Sequence, residues 1–154
     1  MRGNEQVIAL LNQALAEELA AISQYFLHAE MCDNWGYKKL AGTNKKVSID
    51  EMKHAEALIE RILFLDGTPN MVETLPLHIG QNVKVQMEND LKLEIEAVAL
   101  YNAAALKAAK AGDNTSRELF TKILKDEEGH VDVFETQLHQ MKELGAENFL
   151  AQQL

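Results

Sequence analysis

The chain has a single cysteine, Cys32, which excludes an intrachain disulfide and a thiolate metal cluster and leads us to expect a reducing, cytoplasmic setting. Proline is nearly as scarce. Pro69 and Pro76 both fall in one segment, which leaves the rest of the chain free for uninterrupted helices. Basic residues are too few for a nucleic-acid partner: 15 Lys and Arg against 24 Asp and Glu give a formal net charge of −9, which suits a protein that handles cations. No apolar run approaches membrane-spanning length, so no membrane partner is expected. The opening MRGNEQVIALLNQALAEE is interrupted by Asn12, Gln13, Glu17 and Glu18 and lacks the continuous apolar core of a secretion signal. The 154 residues suffice for one domain, 1–154, with a sizeable core.

Apolar residues at helical spacing (Ile8, Leu11, Leu15, Ile22, Tyr25 and Ala29) predict a long helix over 5–34, ended by Asp33-Asn34-Trp35-Gly36. A second is expected over 37–65, weakened early by Gly42-Thr43-Asn44 and ended by Asp66-Gly67-Thr68-Pro69. Residues 66–82 hold both prolines and have no helical period. A third helix over 83–111 and a fourth over 115–144 follow, with a short fifth in AENFLAQQL. Short turns after the first and third helices make antiparallel pairs, and the long connection joins the pairs. The fold class is all-α: a four-helix bundle with one long crossover between helices two and three and a short C-terminal helix.

The chemistry lies in a doubled motif. Residues 48–56, SIDEMKHAE, contain Glu51-x-x-His54, and KDEEGHVD at 125–132 contains Glu127-x-x-His130. Residues at i and i+3 share a helix face, so each pair can converge on one cation. A shift of 76 carries Glu18 to Glu94, Tyr25 to Tyr101, Asp50 to Asp126, Glu51 to Glu127 and His54 to His130. Apolar positions obey the same shift: Leu15 maps to Leu91, Ile22 to Val98, Val47 to Ile123, Leu58 to Phe134 and Ile62 to Leu138. The six ionisable groups therefore point inward with the core, where an unpaired carboxylate is costly. A bound metal pair would account for them.

This is the arrangement already described for ferritin-like di-iron and di-manganese proteins. Carboxylates and imidazoles without sulfur suit iron, manganese or zinc. We assign Glu51 and Glu127 as bridges, with Glu18 and His54 ending one metal position and Glu94 and His130 the other. Few protein ligands leave positions open, which favours reduction of dioxygen or peroxide coupled to Fe(II) oxidation. Asp50 and Asp126 are candidates to orient the histidines, with a solvated charge as the equal alternative. Tyr25 and Tyr101 are expected in the core as packing groups with satisfied hydroxyls, and Tyr25 has a further reading as an electron donor. His28, His78 and His139 have no carboxylate at ligand spacing; an interface role is open to His28, and His78 lies in the crossover.

Met52 follows Glu51 directly and so points about 100° away from the metal face. Outward methionine is commonly an adaptable interface residue. Here the whole chain resembles the bacterioferritins, in MRGNEQVIALLNQALAEELAAISQYFLHAEM, NWGYKKL, SIDEMKHAE, RILFLDGTPN, DEEGHVDVFETQL and GAENFLAQQL. The resemblance implies a hollow 24-subunit homo-oligomer that oxidises Fe(II) at a di-iron ferroxidase centre with dioxygen or hydrogen peroxide and stores ferric mineral. It also implies haem b, one per two subunits, held by a methionine from each, with Met52 at that position. Leu19, Ile22, Phe26, Ile49 and Ile59 would wall the porphyrin, and a reduced ferredoxin-type partner would deliver electrons through it for iron release.

In one place the chain departs from that pattern. Several bacterioferritins carry a tyrosine, a histidine and a carboxylate ahead of SIDEMKHAE; here Lys45, Lys46 and Val47 stand there, which argues against a second iron position on the cavity wall. Two alternatives share the bundle. A di-metal peroxidase of the rubrerythrin type usually adds a cysteine-rich module, which this chain lacks. A subunit of a mixed bacterioferritin shell would lack either the haem methionine or the di-iron ligands, and this chain keeps both.

Overall fold

The computed structural model describes residues 1–154 and contains five helices: α1 Glu5–Asn34, α2 Lys38–Phe64, α3 Val83–Lys110, α4 Asn114–Leu144 and α5 Ala146–Ala151. Side-chain caps start three of them. Asn4 accepts from the amides of Gln6 and Val7, Asn82 from Val85, and Asp113 from Ser116. Each thereby satisfies an amide that the first helical turn leaves without a partner. Gly36 and Gly112, themselves 76 residues apart, end α1 and α3 with positive φ of 89° and 77°. Glycine adopts that conformation without a Cβ clash, so the chain reverses within a few residues.

The tight reversals pack α1 against α2 and α3 against α4, and α1 against α3 joins the two pairs. The expected weakness at Gly42-Thr43-Asn44 is not seen, and α2 runs through it. Its reason is local: Asn44 is buried and donates to Cys32 Sγ at 3.8 Å, and the Thr43 hydroxyl donates to the Lys39 carbonyl. The largest core cluster includes Leu11, Leu15, Leu58, Ile62, Tyr101, Phe120 and Ile123 from all four long helices. A second cluster at the other end buries Phe149 of α5 against Cys32, Leu40, Val83 and Met87. None of the helices is long and apolar enough to cross a membrane.

The crossover is tied down by side chains of α1 and α3. Asn12 donates to the Thr68 carbonyl and accepts from the Asn70 amide, Gln24 accepts from the His78 amide, and Gln86 donates to the Gly80 carbonyl. His28 is fully buried here, not at an interface. Its Nε2 accepts from the Gly80 amide at 3.0 Å, which leaves Nδ1 to donate to Asp90 at 2.9–3.0 Å. Its carboxylate partner lies on another helix, out of reach of a spacing rule. Gln24 also donates to Asp90, at 2.8 Å. His78 and His139 are exposed.

Candidate metal centre

Glu18 and Glu94 reach the middle of the bundle from α1 and α3, and Glu51, His54, Glu127 and His130 from α2 and α4; all six are buried. They form two overlapping groups. Glu18, Glu51, His54 and Glu127 each offer an atom within 4.8 Å of the others, and so do Glu51, Glu94, Glu127 and His130. Glu51 and Glu127 belong to both groups. His54 Nδ1 lies 3.2 Å from Glu127, 3.3 Å from Glu51 and 3.6 Å from Glu18; His130 Nδ1 lies 3.1 Å from Glu51, 3.3 Å from Glu94 and 3.4 Å from Glu127.

One polar atom on each of these six residues is buried with no hydrogen-bond partner: Glu18 Oε2, Glu51 Oε1, His54 Nδ1, Glu94 Oε2, Glu127 Oε1 and His130 Nδ1. Only Gln137 Oε1 shares that condition elsewhere in the chain. Proteins rarely leave buried polar atoms unpaired, so six converging on one point are suited to a cation.

The surrounding bonds cross between the halves of the repeat. Tyr25 on α1 donates to Glu94 on α3, and Tyr101 on α3 donates to Glu18 on α1, both at 2.5 Å. His54 Nε2 pairs with Asp126 at 2.9 Å and His130 Nε2 with Asp50 at 3.2 Å. Each aspartate thus serves the histidine of the opposite helix, not the one four residues along its own. Nε2–H donating to a carboxylate leaves Nδ1 facing the glutamates, the nitrogen that can serve a metal once its own proton has left.

Protonation follows from the crowding of like charges. Burial and the charge of Glu18 push Glu51 well above the usual carboxylate range. Burial would raise Glu127 as well, but His130, His54 and Glu51 outweigh it and hold Glu127 down at about 2. The two shared glutamates are thus pushed in opposite directions, Glu51 up and Glu127 down, as expected of like charges sharing one buried site. Burial pushes Glu94 up to about 8. It would lower both histidines, yet Glu127, Glu18 and Glu51 around His54, and Glu127, Glu51 and Glu94 around His130, hold both well above the usual imidazole range. Burial with the nearby carboxylates Glu94 and Glu18 likewise raises Tyr25 and Tyr101 far above the phenol range. Without a cation the centre holds protons that a cation would displace.

Met52 is 52% exposed, and Ile49, one turn before it on α2, and Phe26 on α1 are exposed too. The Ser48 hydroxyl donates to the Ile22 carbonyl at 2.9 Å, which sets this stretch of α2 alongside α1. Of the other residues of the expected wall, Leu19, Ile22 and Ile59 are half-buried against the core and so offer less outward surface than Phe26 and Ile49. Val47 is buried with Tyr25 and Phe134. Lys45 and Lys46 are exposed, and the Lys46 ammonium lies 3.4 Å from Asp50 Oδ2, where it supplies the positive charge beside that carboxylate.

Comparison with known proteins agrees with this geometry. Residues 8–144 match the Ferritin family, described as a ferritin-like domain. A bacterioferritin of Mycolicibacterium paratuberculosis is 46% identical over 152 residues, covering 99% of this chain and 96% of that protein. A bacterioferritin of Brucella melitensis is 46% identical over 149 residues, 97% of this chain and 92% of that one. One from Rhodobacter capsulatus is 44% identical over 149 residues, with the same coverage.

Proposed function

The chain belongs to the bacterioferritins of the ferritin-like family, and from that premise we propose that it stores iron, oxidising Fe(II) at the buried centre and keeping the ferric product inside a hollow 24-subunit shell of its own copies. The observation that carries this reading is the set of six unpartnered atoms, one on each of Glu18, Glu51, His54, Glu94, Glu127 and His130.

In this reading Glu18 and His54 hold one Fe(II), Glu94 and His130 the other, and Glu51 and Glu127 lie between them. Four carboxylates match the charge of two divalent ions, once the protons of Glu51, Glu94 and the two histidines have left. Asp126 and Asp50 fix the imidazoles and Tyr101 and Tyr25 fix the outer glutamates, so the ligands are set before the substrate arrives. Two Fe(II) supply the two electrons that one hydrogen peroxide accepts, or that carry one dioxygen to the peroxide level.

Haem b fits the chemistry of Met52, an exposed thioether in an apolar setting, with Phe26 and Ile49 to flank the ring. A second copy related by a two-fold axis would supply the other thioether. Bound there, haem supplies a one-electron route to the stored mineral, which a reduced ferredoxin-type protein would feed.

The test is anaerobic addition of Fe(II) to the assembled protein, followed by oxidant in a stopped-flow spectrometer. A fast phase saturating at two irons per subunit is expected, and it should vanish in Glu51→Ala with Glu127→Ala while the assembly elutes unchanged. Oxidation at the wild-type rate in that variant would overturn the reading.

A further inference from the structure

The centre is not closed equally on its two sides. Toward α2 and α4 it is shut by His54 and His130, each braced by an aspartate. Toward α1 and α3 a cavity of about 10 Å³ lies against the four glutamates, room for about one water. Four more residues complete its wall: Ala21, Ala97, Glu17 and Leu93. The 76-residue shift pairs Ala21 with Ala97 and Glu17 with Leu93, so the cavity lies on the axis that relates the halves. The two alanines leave the gap open by their small size.

Glu17 and Leu93 are the one chemically unlike pair around that gap. Glu17 is half-buried, accepts no hydrogen bond on its side chain and forms no ion pair with lysine or arginine, although nothing in the packing requires an acid where Leu93 serves on the other half. Glu18, next in the chain, is 2% exposed and keeps Oε2 unpartnered. Beyond Glu17, the exposed carboxylates Glu96 of α3 and Glu73 of the crossover lie within coulombic reach. Carboxylates thus run from the surface, through a half-buried one, to a buried one with a vacant oxygen.

We propose that divalent cations reach the centre from the α1/α3 side through this gap, and that Glu17 is the receiving carboxylate that passes them to Glu18. Because Glu17 has no acidic counterpart at Leu93, delivery is one-sided, and the position held by Glu18 and His54 fills first. The inference rests on reading the six residues as a divalent-cation site.

The test uses Co(II), whose visible absorbance reports ligation without oxidation. Full-length assembled protein, wild type and variants, is mixed with Co(II) at low ionic strength, and uptake rate and final stoichiometry are recorded. Glu17→Leu and the near-isosteric Glu17→Gln should slow uptake about tenfold, the scale of electrostatic steering into a cleft, and still bind two Co(II) per subunit. Glu17→Leu with Leu93→Glu should recover most of the rate, with filling now starting at Glu94. An unchanged rate in both single variants would overturn the relay, and so would a reduced stoichiometry, which would make Glu17 a ligand. Wild-type protein that binds no Co(II) would instead sink the reading of the centre itself.

Discussion

Tyr101 and Glu18 are 83 residues apart in the chain, yet the tyrosine hydroxyl donates to the carboxylate at 2.5 Å in the core. Tyr25 repeats the contact with Glu94. Each hydroxyl occupies one oxygen of an outer glutamate and leaves the other free for a cation.

Tyr101→Phe should therefore weaken binding at the position served by Glu18. Loss of such a supporting partner typically lowers metal affinity about 10- to 100-fold. Calorimetric titration with Co(II) should show one weakened and one normal site in Tyr101→Phe, and the converse assignment in Tyr25→Phe. Two unaffected sites would refute the role.

The two aspartates predict a crossed result. Asp126 holds His54 at 2.9 Å but is 54% exposed, whereas Asp50 holds His130 at 3.2 Å, is 26% exposed and also faces Lys46. Asp126→Asn and Asp50→Asn should each lower Co(II) affinity at the histidine they brace, on the opposite helix, by about tenfold. If spectral changes instead appear at the histidine of the same helix, the crossed arrangement is wrong.

Stability of the metal-free protein should fall as pH rises above neutrality. Glu94 rises on folding from 4.5 to about 8, so the folded state holds a proton there that the unfolded state has lost, and Glu51 shifts the same way. The stabilisation is complete below pH 4.5 and is lost as pH rises through 8. The raised histidines act in the same sense above their unfolded value of 6.5. Glu127 acts oppositely, but only below 4.5. Thermal unfolding of metal-free protein from pH 6 to 9 should show a declining Tm. Zn(II) should flatten or reverse that slope and release protons on binding. A metal-free Tm that climbs over this range would contradict the assignment.

The bundle and the six converging residues were legible because one signal, the 76-residue shift, tied polar positions to apolar ones. Spacing rules see only neighbours on one helix. They gave Glu51 with His54, and Glu127 with His130, but could not say that Asp126 would reach His54, or that His28 would find Asp90 on α3. Glu17 is hidden for a different reason: the 76-residue shift marks matches, and the significance of Glu17 lies in its mismatch with Leu93. The weakness expected at Gly42 failed because helix propensity yields to tertiary contacts, here those of the buried Asn44.

Gly80 supplies a prediction away from the metal. A Cβ there would meet the Gln86 amide nitrogen at 2.3 Å and its Cα at 2.6 Å, both backbone atoms of α3 that cannot step aside. Gly80→Ala should cost about 1–3 kcal/mol, as overpacking does, and loosen the amide that bonds His28. Chemical denaturation measures the cost, and hydrogen exchange at Gly80 should quicken. An undiminished midpoint would show that the crossover can shift freely.

The reciprocal wiring of the two halves bears on how the chain acquires its centre. Neither half contains a finished metal position: each lends its tyrosine and aspartate to the other and takes theirs in return. A chain whose hairpins have not docked, or a fragment broken at the crossover, cannot present a complete ligand set. Competence to bind a metal pair is thus withheld until both hairpins have docked, so that the site belongs only to chains that have finished folding.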